Sequence, residues 1–352
     1  MTAALKAVAR SSKRLRAIMA GTVALVVAGT ALGITHVVRE KDEPAQESFC
    51  WGTLDARDAA SLSAERAARY VSDDTQQQLG SVYPFTCLVG PVKEGANSPL
   101  QTSEFSVTVQ GLSNNFSVGS IGDEIVGATP SRTPIQGVPG WLTPNHAGVL
   151  LPDSCNKKLR LNGAAYVRIE SSSRAREAFD MDGAFRSRLL HLLMKSATGI
   201  SKKLDCSDGA FVAPENTPPA ITPSPLASDE TCELPGFTAF SSSKVPFSEF
   251  VTSGDYRMWS CSLIATEEIK QETLLQFTIT QEAQLLRLAR GTTGRSASLL
   301  CDGKETLLEV NSAMFFKRRA GSESVLPEEK LFENFKKAVS KKSDCTPLDD
   351  AS

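Results

Sequence analysis

Apolar and polar positions alternate in three different ways along this 352-residue chain. Ala17 to Val38 is a run of 22 residues without a formal charge. At 1.5 Å per residue it reaches about 33 Å as a helix, enough to cross a hydrocarbon core of roughly 30 Å. Farther on the period is two, as in Phe105-Ser-Val-Thr-Val109 and Ala165-Tyr-Val-Arg-Ile169, and again in Leu275-Gln-Phe-Thr-Ile279 and Thr306-Leu-Leu-Glu-Val310. These segments predict strands with one face buried. Elsewhere the spacing is helical: Phe185, Leu189, Leu192 and Leu193 form one stripe, and Phe332, Phe335 and Val339 another, with Pro327 and Glu328 at its start. Ala56 to Val71 also reads as a helix, with Leu62, Ala68 and Tyr70 as a weak apolar stripe. Pro246 to Val251 is its shorter counterpart later in the chain.

The cysteines show that these elements come in two sets. Cys50, Cys87, Cys155 and Cys206 are followed by Cys232, Cys261, Cys301 and Cys345, with matching surroundings in the same order. Both sets close on the same phrase, Lys202-Lys-Leu-Asp-Cys206 and Lys341-Lys-Ser-Asp-Cys345. A duplicated unit follows. An even count in an exported chain predicts disulfides, with three connectivities open to each four-cysteine unit. Pairing of the first cysteine with the second or the fourth is favoured, because the terminal cysteines then tie down the chain ends.

The fold class expected is α+β: one N-terminal transmembrane helix, then two duplicated, disulfide-bonded units of antiparallel sheet plus helix. The divisions are a basic cytoplasmic segment (1–16), the membrane helix (17–38), a juxtamembrane linker (39–48), unit one (49–207), a proline-rich linker (208–229), unit two (230–347) and a short tail (348–352). The linker carries Pro214, Pro218, Pro219, Pro223 and Pro225 and reads as a semi-rigid spacer. The units differ most between their second and third cysteines, 68 residues apart in unit one and 40 in unit two. Most of the excess lies in Gly111 to Gly148, which includes a Pro139-Gly-Trp-Leu142 turn. Trp141, Leu142 and His146 are the expected partner contacts there; the competing expectation folds Trp141 back onto its own domain.

Charge sets the orientation. Lys6, Arg10, Lys13, Arg14 and Arg16 precede the apolar run with no acidic residue among them, which puts the N-terminus inside the cell and the rest outside. Cleavage of the run as a signal peptide is the rival reading and leaves the compartment unchanged. Of 38 basic residues, the 33 that remain face 40 acidic ones, a balance without a footprint for nucleic acid.

The motifs of chemistry are sparse. There is no Cys-x-x-Cys, no His-Glu-x-x-His, no Gly-x-Ser-x-Gly and no phosphate loop. Ser241-Ser-Ser-Lys244 matches Ser-x-x-Lys, but no Lys-Thr-Gly accompanies it. His191 lies among leucines, and His146 has no second histidine near it. No catalytic, cofactor-binding or metal-ligating residue is assigned, and no cofactor is expected.

The Cys50-Trp-Gly-Thr-Leu54 opening, the Leu150-Leu-Pro-Asp-Ser-Cys155 block and the Lys-Lys-x-Asp-Cys endings resemble uncharacterised membrane-anchored exported proteins of actinobacteria with paired four-cysteine units. The resemblance implies location and architecture and carries no activity. The expectation is a membrane-tethered extracytoplasmic binding module of the cell envelope. It would contact the bilayer through residues 17–38 and meet an envelope protein or wall ligand. An envelope hydrolase with an unrecognised site is the alternative.

Overall fold

The computed structural model describes residues 47–62, 70–73, 85–91, 103–111, 132–160, 163–172, 183–207, 209–226, 230–240, 247–252, 256–265, 273–289, 295–312 and 326–348. The expected membrane helix, the Ser241–Lys244 match and residues 112–131 of the long insertion lie outside these. Among the described residues no helix is long and apolar enough to cross a membrane.

The first domain runs β1 (Ser48–Phe49), β2 (Leu54–Asp55), α1 (Ala56–Ser61), β3 (Tyr70–Asp73), β4 (Phe85–Pro91), β5 (Phe105–Gly111), β6 (Thr133–Pro134), β7 (Gly140–Leu142), β8 (His146–Leu150), α2 (Asp153–Lys158), β9 (Ala165–Ser171) and α3 (Gly183–Lys203). The second runs β10 (Ser224–Pro225), β11 (Glu230–Thr231), β12 (Leu234–Pro235), β13 (Phe247–Val251), β14 (Met258–Ala265), β15 (Thr273–Thr280), α4 (Ala283–Ala289), β16 (Arg295–Cys301), β17 (Lys304–Ser312), α5 (Glu328–Ser343) and β18 (Thr346–Pro347). Each domain has a seven-stranded sheet, ordered β3-β4-β5-β9-β8-β7-β6 and β10-β13-β14-β15-β17-β16-β18. The α+β class is therefore present twice. β3-β4-β5-β9-β8 matches β13-β14-β15-β17-β16, with every neighbouring pair antiparallel.

The disulfides repeat as well. Cys50 bonds Cys87 and Cys155 bonds Cys206; Cys232 bonds Cys261 and Cys301 bonds Cys345. All eight cysteines are used, first with second and third with fourth in each set. Four such bonds mark an exported, extracytoplasmic region.

The shared closing phrase is a helix stop. Asp205 and Asp344 adopt left-handed φ values of 50° and 48°. The next amide turns back: Cys206 N–H donates to Ser201 O at 3.0 Å, and Cys345 N–H to Ser340 O at 3.2 Å. Aspartate tolerates this backbone better than most residues, and the paired lysines sit where positive charge offsets the helix dipole. Each cysteine is thereby directed toward its partner, Cys155 on α2 or Cys301 on β16. The opening cysteines sit in hairpin turns, also left-handed, with φ of 48° at Cys50 and 62° at Cys232.

Each core lies between sheet and closing helix. Phe105, Val107 and Val109 point from β5 toward Phe185, Leu189, Leu192 and Leu193 of α3, all buried in one cluster. In the second domain Leu331, Phe332, Phe335 and Val339 of α5 cover Phe277, Ile279, Leu308 and Val310. Phe335 lies 5.1 Å from Phe277 and 6.2 Å from Trp259, centroid to centroid. Full burial of each such side chain contributes roughly 1.5–3 kcal/mol.

Two expected helical segments differ. The helix expected over Ala56–Val71 is confined to Ala56–Ser61 among the described residues, and Tyr70–Asp73 is a strand. Phe247–Val251 is likewise a strand, paired with β14 and β10. Aromatic and β-branched residues suit a pleated surface, and ladder partners far away in sequence outweighed a weak helical stripe.

Helix α1 is pinned by charge. Asp55 caps it, accepting from the backbone N–H of Arg57 at 2.8 Å and Asp58 at 3.0 Å. Lys195 of α3 reaches Asp55 at 2.8 Å and also pairs with Asp58. The lysine hydrogen bond, then the Asp58 amide, hold the Asp55 carboxyl at about 2, below its ordinary 3.8. A carboxyl depressed in the folded state stabilises fully above its unfolded value and loses that contribution as pH falls toward its folded one. Melting followed from pH 5 down to pH 2 should therefore show a shallower acid decline for Asp55→Asn than for wild type. Parallel declines would mean that Asp55 is not held in this pair.

Candidate functional site

The two domains meet on the side of the first sheet away from α3. Leu150 and Tyr166 face each other across β8 and β9, and Trp141 of β7 stands opposite Gly148. Gly148 has no side chain, so the indole lies across its backbone; a Cβ there would overlap Cζ2, Cε2 and Cη2 of the ring. Trp141 tilts against Tyr166 at 5.7 Å, and the Arg132 guanidinium lies 5.8 Å from its centroid. Met258 of β14 and Leu285 of α4 complete this buried cluster from the second domain. Polar contacts frame it. Gln284 Nε2 donates to Leu151 O at 2.7 Å, and Arg287 pairs with Asp153.

The proline-rich segment is docked into this junction. Phe211 N–H donates to Thr198 Oγ1 at 2.9 Å, and Phe211 and Ala213 pack on the first core. Pro219 O accepts from Thr133 Oγ1 at 3.0 Å, and Pro218 O accepts from Arg186 Nη2 at 2.9 Å. At its far end β10 joins the second sheet. The expected spacer is thus part of both domains, because its carbonyls and apolar residues find partners on each.

A cleft of about 510 Å³ opens where the three parts meet. One wall is the turn from Thr133 to Val138, the second is Asn216 to Pro219, and the third is Arg257 and Met258 of the second domain. That volume falls in the range of small-ligand pockets, which favour domain junctions. Ile135, Val138, the prolines and Met258 give it an apolar lining, while Gln136, Asn216 and Thr217 offer polar groups.

Arg186 lies beneath this lining, only 4% exposed. Its Nη2 bonds Pro218 O and sits 3.4 Å from Thr133 Oγ1, both on the cleft walls. Its Nη1 is buried without a hydrogen bond among the described residues, and no carboxylate pairs with it there. Burial lowers its pKa from the ordinary arginine value, yet a guanidinium keeps its proton at neutral pH. The residue was not singled out in the sequence, although a signal was there: Arg186 shares the helical stripe of Leu190 and Leu193, both buried.

The expected contact residues sit differently. Trp141 is 1% exposed and Leu142 0%, so neither is presented to an outside partner; the surface that Trp141 meets is the second domain. The cause is β7, which adds the Pro139–Leu142 segment to the first sheet and turns its residues inward. His146 is half-buried, with Nδ1 3.3 Å from Asn145 Oδ1. Burial first, then the charges of Arg132 and Arg168, push its imidazole down to about 3. It therefore stays neutral where a histidine switch would act. His191 is exposed on α3.

Cys232, Glu249 and Cys261 cluster closely enough to suggest a metal site, but the two sulfurs are bonded to each other. Glu249 has a structural partner instead, accepting from the Cys232 N–H at 2.6 Å.

No family model, curated protein or solved structure matches the chain. The likeness to actinobacterial exported proteins thus rests on its short motifs.

Proposed function

We propose that this protein is a membrane-tethered, extracytoplasmic binding module of the bacterial cell envelope, with its ligand seat in the cleft between the two domains. The observation that carries the reading is the cleft's construction. Its walls come from three separate parts of the chain, held together by the Trp141 cluster, the docked proline segment and the Gln284 and Arg287 contacts. A site held open without ligand avoids the ordering cost that weakens binding. The four disulfides support an extracytoplasmic setting. The uncharged run from 17 to 38, with five basic residues before it, supports a single-pass tether with the N-terminus inside.

Gln136 is exposed on the cleft wall, and tryptophan there would occupy the cleft without touching either core. The full chain recovered from its own membrane fraction should carry a bound small molecule by native mass spectrometry. The Gln136→Trp chain, prepared in the same way, should not. An adduct equally present in both, or absent from both, rejects this seat.

A further inference from the structure

The geometry points to a carboxylate-bearing ligand with an apolar body, such as the free C-terminus of a short peptide, as the occupant of the inter-domain cleft; this rests on the binding reading above.

Charge is the first argument. Arg257 is the one formally charged residue of the cleft lining, and it is exposed. Arg186 adds a second positive charge directly behind Thr133 and Pro218, with no carboxylate among the described residues to cancel it. A buried, unpaired cation is costly and seldom kept without a counter-charge. Here its nearest solvent-facing outlet is the cleft. Glu282 is the acidic group that interacts with Arg257, and it lies outside the lining.

The lining argues for what is attached to the anion. Pro218 and Pro219 already use their carbonyls on Arg186 and Thr133, so their rings form the wall. Together with Ile135, Val138 and Met258 they make a surface for an apolar chain. Asn216, Thr217 and Gln136 can hydrogen-bond peptide groups along it. A single exposed guanidinium suits a planar carboxylate, which it can hold through two parallel hydrogen bonds. A phosphate dianion would call for more charge than one exposed arginine supplies, and a cation meets no acidic group in the lining.

Met258 is a built-in reporter: it is 4% exposed and lines the cleft. Met194 is buried in the first core and serves as the internal control. The full chain, labelled at methionine methyls and held in detergent micelles, is titrated with acetyl-Ala-Leu-Ala, with the same peptide as its C-terminal amide, and with phenyl phosphate. Met258→Leu assigns the signal. The free acid should move the Met258 methyl and leave Met194 in place, and the amide should bind about tenfold more weakly, as expected for losing one charge-assisted contact. Arg257→Gln should remove that preference while thermal melting stays unchanged. Arg186→Gln should weaken the acid and leave the amide's affinity as it was.

Equal response to acid and amide would overturn the carboxylate assignment while leaving a binding cleft. Tighter response to phenyl phosphate than to the free acid would overturn it in favour of a phosphate ligand. No Met258 response to any probe would overturn it as well; the Gln136→Trp comparison would then decide separately whether the cleft binds at all.

Discussion

Gly148→Ala is expected to destabilise the protein by about 3 kcal/mol, the upper end of the usual overpacking cost, lowering its melting temperature by roughly 10 °C. One methyl group has this effect because the ring opposite it has nowhere to go. The added carbon would overlap the benzo edge of Trp141. Tyr166 stands against one side of that ring at 5.7 Å, Arg132 lies 5.8 Å from its centroid, and Met258 and Leu285 close the cluster from the other domain. To admit the methyl, the indole must leave its position and loosen the junction that holds the cleft. Trp141→Leu should itself be costly, yet in combination with Gly148→Ala the losses should fall short of additive by 1 kcal/mol or more. Gly148→Ala melting within a degree of wild type would show that the indole does not rest on Gly148.

Replacing both Cys155 and Cys206 by alanine should cost about 4 kcal/mol on the loop-entropy estimate for a bond spanning 51 residues. The loss is expected at the far end of α3. There the left-handed Asp205 and the Cys206 amide end the helix, and the bond fixes that end to α2, where Ser154 Oγ also donates to Cys206 O. Hydrogen exchange should thus accelerate first at residues 200–206, with α5 unaffected. Non-reducing peptide mapping of the variant should still recover the other three bonds. A loss under 1 kcal/mol with unchanged protection at residues 200–206 would mean that packing alone holds the end of α3.

The parts of this fold that were legible are those written in neighbouring residues. Lys-Lys-x-Asp-Cys states a helix end and a tethered cysteine within five positions, and both copies form the same stop. The stripes of α3 and α5 were readable from i, i+4 spacing alone, and β5, β9, β15 and β17 from alternation. One local signal was passed over. Asp302-Gly303 joins β16 to β17 in a two-residue turn with both φ values positive, the dipeptide best suited to that hairpin.

What escaped the reading depends on partners far away in the chain. β3 and β13 became strands because β4 and β14 offered open ladders, which outweighed the weak apolar stripe that suggested helix. Trp141 looked like an exposed turn aromatic because Met258 and Leu285, which bury it, come more than a hundred residues later. The cleft had no trace in any single segment, since its three walls are joined only on folding.

From residue order alone followed the α+β class, the duplicated four-cysteine unit, the closing helices and an exported chain. Each of these depends on interactions within one turn, one strand or one repeat, where spacing is enough. Packing between the repeats settled the rest: the disulfide pairing, the inward Trp141, the docking of the proline segment and the placing of Arg186 under a cleft. These depend on which apolar faces and unpaired polar groups meet once both sheets exist, and local patterns carry no record of that.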